Sequence, residues 1–191
     1  MVVHVHHNTA FENMTKEQLT QYCNLRKLEL VGSAVFVKNK AFISKVISWV
    51  CSGKAESKDF VPSHVGSLIL AGGHVYLFDM KPPRPTLTRF DEYLANTKDE
   101  FMLVLRNFSV DTEKFSLNIL SRLNKPYGYL SAIQSAFKYM FWGFKEHCSE
   151  IHLKALQQQG LFKEYDANKT TPEDLKEILL HYDGARAREN D

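Results

Sequence analysis

Two β-rich runs, Val65-Gly66-Ser67-Leu68-Ile69-Leu70 and His74-Val75-Tyr76-Leu77-Phe78-Asp79-Met80, are separated only by Ala71-Gly72-Gly73. Few patterns constrain a chain more. Short apolar runs joined by glycines predict a β-hairpin, because a tight turn needs positive φ angles that glycine adopts without strain. If Ala71-Gly72 is the two-residue turn, His64 lies opposite Asp79; if Gly72-Gly73 is the turn, Asp79 faces Gly66 and His64 sits on the diagonal. Either register puts His64 and Asp79 on one face of the hairpin and His74 on the other, since side chains alternate along a strand. A three-residue loop or a bulge would break that relation.

The flanking sequence supplies partners for the hairpin. Thr15 with Gln18 three residues later predicts a helix over 16–27, carrying a mixed apolar stripe that includes Leu19, Tyr22 and Cys23. Residues 32–37 predict a strand, and Phe42, Ile43, Val46, Ile47 and Val50 recur at helical spacing over 41–50. A polar loop follows over 52–59. The prolines of Lys81-Pro82-Pro83-Arg84-Pro85 remove backbone donors and predict a rigid crossing segment.

Beyond it, 88–94 predicts a short helix and 101–106 a buried strand, and Asp111 caps a helix with Phe115, Leu117, Ile119, Leu120 and Leu123 among its apolar positions. Helical patterns then cover 130–142 and 148–159, the second closed by Gly160. Thr171-Pro172 opens a last helix, as an N-cap followed by proline at the first helical position. The expected class is α+β, with helices on both sides of a small antiparallel sheet.

The chain has 191 residues, 44% of them hydrophobic, enough for one domain with a real core. Lys and Arg total 24 against 22 for Asp and Glu, and no block of one sign calls for nucleic acid. The three cysteines, Cys23, Cys51 and Cys148, are odd in number and lack zinc-site spacing, which fits a reducing, cytoplasmic setting. Met1-Val2-Val3-His4-Val5-His6-His7 is too short and polar to resemble a secretory signal, and no apolar run approaches the roughly 20 residues that span a bilayer. No cofactor is expected and no metal: His4, His6 and His7 lack Cys or carboxylate neighbours.

Cys148 opens the 148–159 helix, and this is where chemistry enters. A thiol attacks as the thiolate, and free cysteine ionises at a pKa of about 8.5, so a reactive cysteine needs help near neutrality. A helix N-terminus offers unpaired N–H groups and the positive end of the dipole. An imidazole such as His64 offers an ion pair and then a proton for the leaving group. Asp79, on the same face of the hairpin, would fix the ring's tautomer.

Duller readings stand beside these. By composition Cys148 is simply a buried structural thiol, as is Cys23. Asp79 could pair with Lys81 or cap its strand. His147 would project away from Cys148, and His152, at i+4, reads as a helix-face residue.

Taken together, Gly32 with Val35-Phe36-Val37, the Phe42-Ile43-Ser44-Lys45 helix, Ser63-His64-Val65-Gly66, Val75-Tyr76-Leu77-Phe78-Asp79, Tyr127-Gly128-Tyr129-Leu130, Cys148-Ser149-Glu150 and Thr171-Pro172-Glu173-Asp174-Leu175 resemble the circularly permuted papain-like hydrolases. The branch is the YiiX type of the NlpC-like superfamily, related to lecithin-retinol acyltransferase. The resemblance covers about residues 30–181. It implies a permuted papain-like fold over 30–182, an N-terminal helical extension over 1–29 and a flexible tail over 183–191.

It further implies Cys148 as nucleophile, His64 as base and Asp79 as third residue, where the family often has Glu. Ser63, Tyr127 and Tyr129 are implied to line the substrate site. The implied activity is cysteine-dependent hydrolysis of an amide or ester (peptide, isopeptide, peptidoglycan peptide or acyl-lipid) through a thioester. Two alternatives remain: a lipid acyltransferase of the same fold, and a non-catalytic module that binds partners through the cleft.

Overall fold

The computed structural model describes residues 3–6, 15–38, 60–80, 84–125 and 147–182. In chain order the elements are β1 (Val3–His6), α1 (Lys16–Leu25), α2 (Lys27–Leu30), β2 (Ala34–Lys38), β3 (His64–Ala71), β4 (His74–Asp79), β5 (Thr86–Arg89), α3 (Phe90–Asn96), β6 (Glu100–Val104), α4 (Thr112–Leu120), α5 (Cys148–Gln157) and α6 (Pro172–Leu180). A 3-10 turn, Ala167–Lys169, precedes α6. The helices predicted over 41–50 and 130–142, the loop over 52–59, Cys51, Tyr127, Tyr129 and the tail lie outside the described residues.

The strands form one sheet in the order β1-β6-β2-β3-β4-β5. From β6 to β5 every pairing is antiparallel, and β1 joins the edge in parallel with β6. The fold is α+β, with helices on both faces of the sheet. At the hairpin tip Gly72 and Gly73 both have positive φ, 54° and 76°, and Ala71 pairs with His74. The turn is therefore Gly72-Gly73. The ladder runs to Ser67 opposite Phe78, and one further step sets Gly66 opposite Asp79. A Cβ on Gly66 would lie 2.5 Å from Leu77 Cδ1 and 3.1 Å from the Phe78 carbonyl, so glycine lets β4 approach closely there.

Alternation along the central strands divides two cores. Ala34 and Phe36 of β2, Val65 and Ile69 of β3, and Met102 and Val104 of β6 face a core built with α4, α5 and α6, where Phe115, Ile151, Leu156, Leu175 and Leu179 are buried. Val35, Val37, Leu68, Phe101 and Leu103 face the opposite core, made with α1, α2 and α3 through Leu19, Cys23, Leu30, Phe90 and Leu94.

Three differences from the sequence expectations have physical causes. Residues 86–89 form strand β5 along β4, so the predicted helix starts later, at Phe90. Thr86 and Thr88 favour a pleated edge, and prolines are tolerated just ahead of an edge strand. Within residues 1–29, where the expectation is helical, Val3–His6 form a strand that pairs with β6, and Leu19 and Cys23 of α1 fill the second core. A short apolar face on α1 has nowhere else to be buried. Third, Ala167–Lys169 adds a turn that no periodic pattern announced, held by Asp166 accepting from the Asn168 N–H.

Caps fix the helices that matter for the site. Thr15, Asp111 and Thr171 accept first-turn amides of α1, α4 and α6. Such caps contribute about 1 kcal/mol each.

Candidate functional site

Three side chains that lie far apart in sequence meet at one end of the sheet. His64 is the first residue of β3, Asp79 the last of β4 and Cys148 the first of α5. The hairpin register places Asp79 on the diagonal from His64, and His64 Nε2 bonds Asp79 Oδ1. That leaves Nδ1 for the thiol, and His64 lies close enough to Cys148 for each to shift the ionisation of the other. The His64 and Asp79 side chains are only 16% and 14% exposed, and Cys148 is 7% exposed. The group is shielded without being sealed.

Burial alone would push the Cys148 thiol up, because a thiolate loses solvation. The opposite occurs. The charge of His64 and its hydrogen bond, followed by the N–H groups of Val65 and Ser149, hold the thiol below its ordinary value. For His64, burial by itself would lower the imidazole, but the Asp79 carboxylate and the Cys148 thiolate together raise it well above its usual range. Each shift favours the charged form of its group, thiolate for Cys148 and imidazolium for His64. An ionised thiol beside a proton donor is a nucleophile already matched to an acid for the leaving group.

The N-terminus of α5 is built to hold Cys148 in place. His147 has extended backbone angles, φ −114° and ψ 174°, and serves as the N-cap: its Nδ1 accepts the Glu150 N–H while Glu150 accepts the His147 N–H. Lys154 Nζ lies 2.6 Å from Glu150 Oε1 and balances that buried carboxylate. Ser149 Oγ donates to the Thr170 carbonyl at 2.6 Å, tying the first turn of α5 to the segment that caps α6. The Cys148 N–H is a first-turn donor with no acceptor inside the helix, which makes it available to an anionic oxygen.

The approach to His64 is anchored from two sides. Ser63 is buried, its N–H donates to the Val37 carbonyl at 3.0 Å and its Oγ donates to the same carbonyl at 3.3 Å. Lys176 of α6 donates to the Phe60 carbonyl at 3.2 Å and pairs with Glu173 at 2.7 Å and Glu177 at 3.1 Å. Those three acceptors match the three N–H groups of a lysine.

Of the six residues singled out in the sequence, Cys148, His64 and Asp79 come together, Ser63 stands beside His64 with its hydroxyl turned to β2, and Tyr127 and Tyr129 lie outside the described residues. His147 departs from expectation. It does not project away from Cys148 but caps its helix; the spacing from His147 to Glu150 is a capping box with histidine in place of Ser or Thr, a signal present in the sequence. His152 is on a helix face, and that face is turned into the core. It is fully buried, with Nδ1 at 2.8 Å from Ser67 Oγ and its ring edge-on to Phe115. Ser67 carried no sequence signal at all.

A scan against models of protein families finds no match, and a search of curated proteins finds none either. Among solved structures, the chain is similar to the crystal structure of metalloprotein yiiX from Escherichia coli O157:H7, DUF1105, at 20% identity and a TM-score of 0.49, over 79% of this chain and 81% of that one. Among the described residues, no group of three or more His, Cys, Asp or Glu side chains could hold a metal ion. No helix of the described residues is long and apolar enough to cross a membrane.

Proposed function

We propose that the protein is a cysteine hydrolase of permuted papain-like type, cleaving an amide or ester bond. The observation that carries this reading is the Cys148-His64-Asp79 group, in which the thiol is drawn down and the imidazole raised by contact with one another.

In the first half-reaction the Cys148 thiolate attacks the substrate carbonyl carbon, forming a C–S bond and an oxyanion. The Cys148 N–H stabilises that charge. Collapse breaks the bond to the amine or alcohol, which leaves with the proton from His64 Nδ1. The product on the enzyme is a thioester. In the second half-reaction His64 takes a proton from water, hydroxide adds to the thioester carbonyl, and the C–S bond breaks to release a carboxylic acid and restore the thiolate. Asp79 keeps the ring oriented and charged. Peptide, isopeptide, peptidoglycan-peptide and acyl-lipid substrates all share this first half-reaction, and an amine or alcohol in place of water turns hydrolysis into acyl transfer. A reducing, cytoplasmic setting belongs to the same reading, since the nucleophile must stay a free thiol.

The test is a screen of acyl-amide, acyl-ester and peptide probes against wild type and Cys148→Ala, with mass spectrometry of the protein. An acyl mass on Cys148 that turns over in wild type and is absent from the variant is the expected result, and it identifies the acyl group. No turnover of any probe, with Cys148 alkylated no faster than Cys23 and Cys51, would leave a non-catalytic binding module as the better reading.

A further inference from the structure

We infer that the buried hydrogen bond between Ser67 and His152 is a register pin that holds α5 on β3 so that Cys148 meets His64, which makes Ser67 and His152 positioning residues. The inference rests on the thiolate and imidazolium reading of Cys148 and His64.

The helix that carries the nucleophile lies along the strand that the base opens. At its start Cys148 lies beside Val65, and one helical turn further His152 Nδ1 lies 2.8 Å from Ser67 Oγ. The spacings match: four helical residues advance about 6 Å and two strand residues about 6.6 Å. One step further along each element, Leu156 and Ile69 are both buried in the same core.

The contact between Ser67 and His152 is directional. Apolar burial is proportional to area and has no preferred angle. A bond between a hydroxyl and a ring nitrogen at 2.8 Å weakens steeply away from its proper distance and angle. Both partners are buried, Ser67 at 2% exposure and His152 at 0%, so water does not replace the bond.

The ring's other nitrogen, Nε2, is buried with no partner among the described residues. A leucine at 152 would avoid that penalty while filling much the same space. What it would lack is a hydrogen bond between the element bearing Cys148 and the element bearing His64. The edge-on contact with Phe115 of α4, at 5.6 Å between ring centres, steadies the ring in the bonding orientation.

The experiment measures iodoacetamide labelling of the full chain as a function of pH, resolved by peptide for Cys148, in Ser67→Ala, Ser67→Thr, His152→Leu and His64→Ala, with a thermal melt of each. The expected result is that Ser67→Ala and His152→Leu move the Cys148 labelling midpoint up by about one pH unit, a tenfold loss of rate below the midpoint, and that Ser67→Thr restores it. Leu19→Ala, in the core on the other face, serves as the control: it lowers the melting temperature and leaves the midpoint in place. If Ser67→Ala also melts earlier without moving the midpoint, the pin is only structural and the inference is overturned. Should Ser67→Ala fail to fold, His152→Gln, which displaces the bonding atoms, replaces it with the same two outcomes. His64→Ala separates the two readings: a midpoint insensitive to His64 removes the proposed base itself, whereas one sensitive to His64 but not to Ser67 or His152 removes the pin alone.

Discussion

Among the described residues, each face of the sheet buries one cysteine, and the two behave in opposite ways. Cys23 sits in the core under α1 and is 5% exposed; Cys148 sits in the other core at the head of α5 and is 7% exposed. Burial pushes the Cys23 thiol up to about 12, with the nearby Asp91 adding to the effect. Cys148 suffers the same desolvation, yet His64 and the Val65 and Ser149 amides bring it below its ordinary value. Burial therefore does not distinguish a structural thiol from a reactive one. The difference lies in what the buried sulfur touches, a cation and two amides in one case and apolar surroundings near a carboxylate in the other.

The comparison breaks most completely if the cation is removed. In His64→Ala, Cys148 becomes a second Cys23, a buried thiol with no imidazolium. We expect its labelling by iodoacetamide at pH 7 to fall by about a thousandfold or more, since each pKa unit is tenfold in thiolate below the midpoint. Cys23 labelling should not change. Peptide-resolved labelling checks both at once, and a Cys148 rate within a fewfold of wild type would show that the helix terminus alone ionises the thiol.

His64 and His152 repeat the lesson and give the next largest effect. His152, buried with no anion near it, is pushed down to about 4, whereas His64, with Asp79 and Cys148 beside it, is raised. Between its unfolded value of about 6.5 and its folded value, His152 takes a proton only when the chain unfolds. Stability thus falls as pH drops through that window, by about 3 kcal/mol at its foot, and is unaffected by this group above it. His152→Leu should flatten the pH dependence of denaturant unfolding between pH 6.5 and 4 relative to wild type. Parallel curves for the two proteins would mean that the ring is already charged in the folded state.

Removing the carboxylate without the imidazole sharpens the comparison further. Asp79→Asn keeps a side chain of the same size beside His64 Nε2 but takes away the charge that holds the ring protonated. We expect Cys148 labelling at pH 7 to slow by about tenfold and the His64 titration, followed by NMR, to move down. A labelling rate unchanged in Asp79→Asn would make Asp79 a strand-end residue rather than part of the group.

How far the sequence reached depended on the range of the signals. The hairpin was legible because glycines at 72 and 73 and the alternation around them are local, and the register that they set put Asp79 on His64's diagonal. The caps at Thr15, Asp111 and Thr171 were legible for the same reason. The union of Cys148 with His64 was reached through a resemblance between motifs, since nothing local joins residues 84 apart in the chain. What stayed hidden was tertiary. His152 looked like a helix-face residue because i+4 spacing gives a direction and no environment, and Ser67 was one small polar residue in a strand until the helix was laid on it. The fifth strand was missed because Thr86-Leu87-Thr88-Arg89 forms only against β4.

The smallest effect tests the quiet side of the comparison. Cys23 packs beside Leu19, Val75 and Phe90 in the second core, and its thiol acts there as a small apolar group. Cys23→Ala removes one buried sulfur, which should lower stability by about 1 kcal/mol in a denaturant melt, at the mild end of the penalties for large-to-small changes in cores. Cys148 lies in the other core, beyond the sheet, so its labelling rate and pH midpoint should not move, as expected for distant sites without shared partners. A shift in the Cys148 midpoint would mean that the sheet transmits packing changes from α1 to β3. The strand end that sets His64 would then be held from both faces rather than from the α5 side alone.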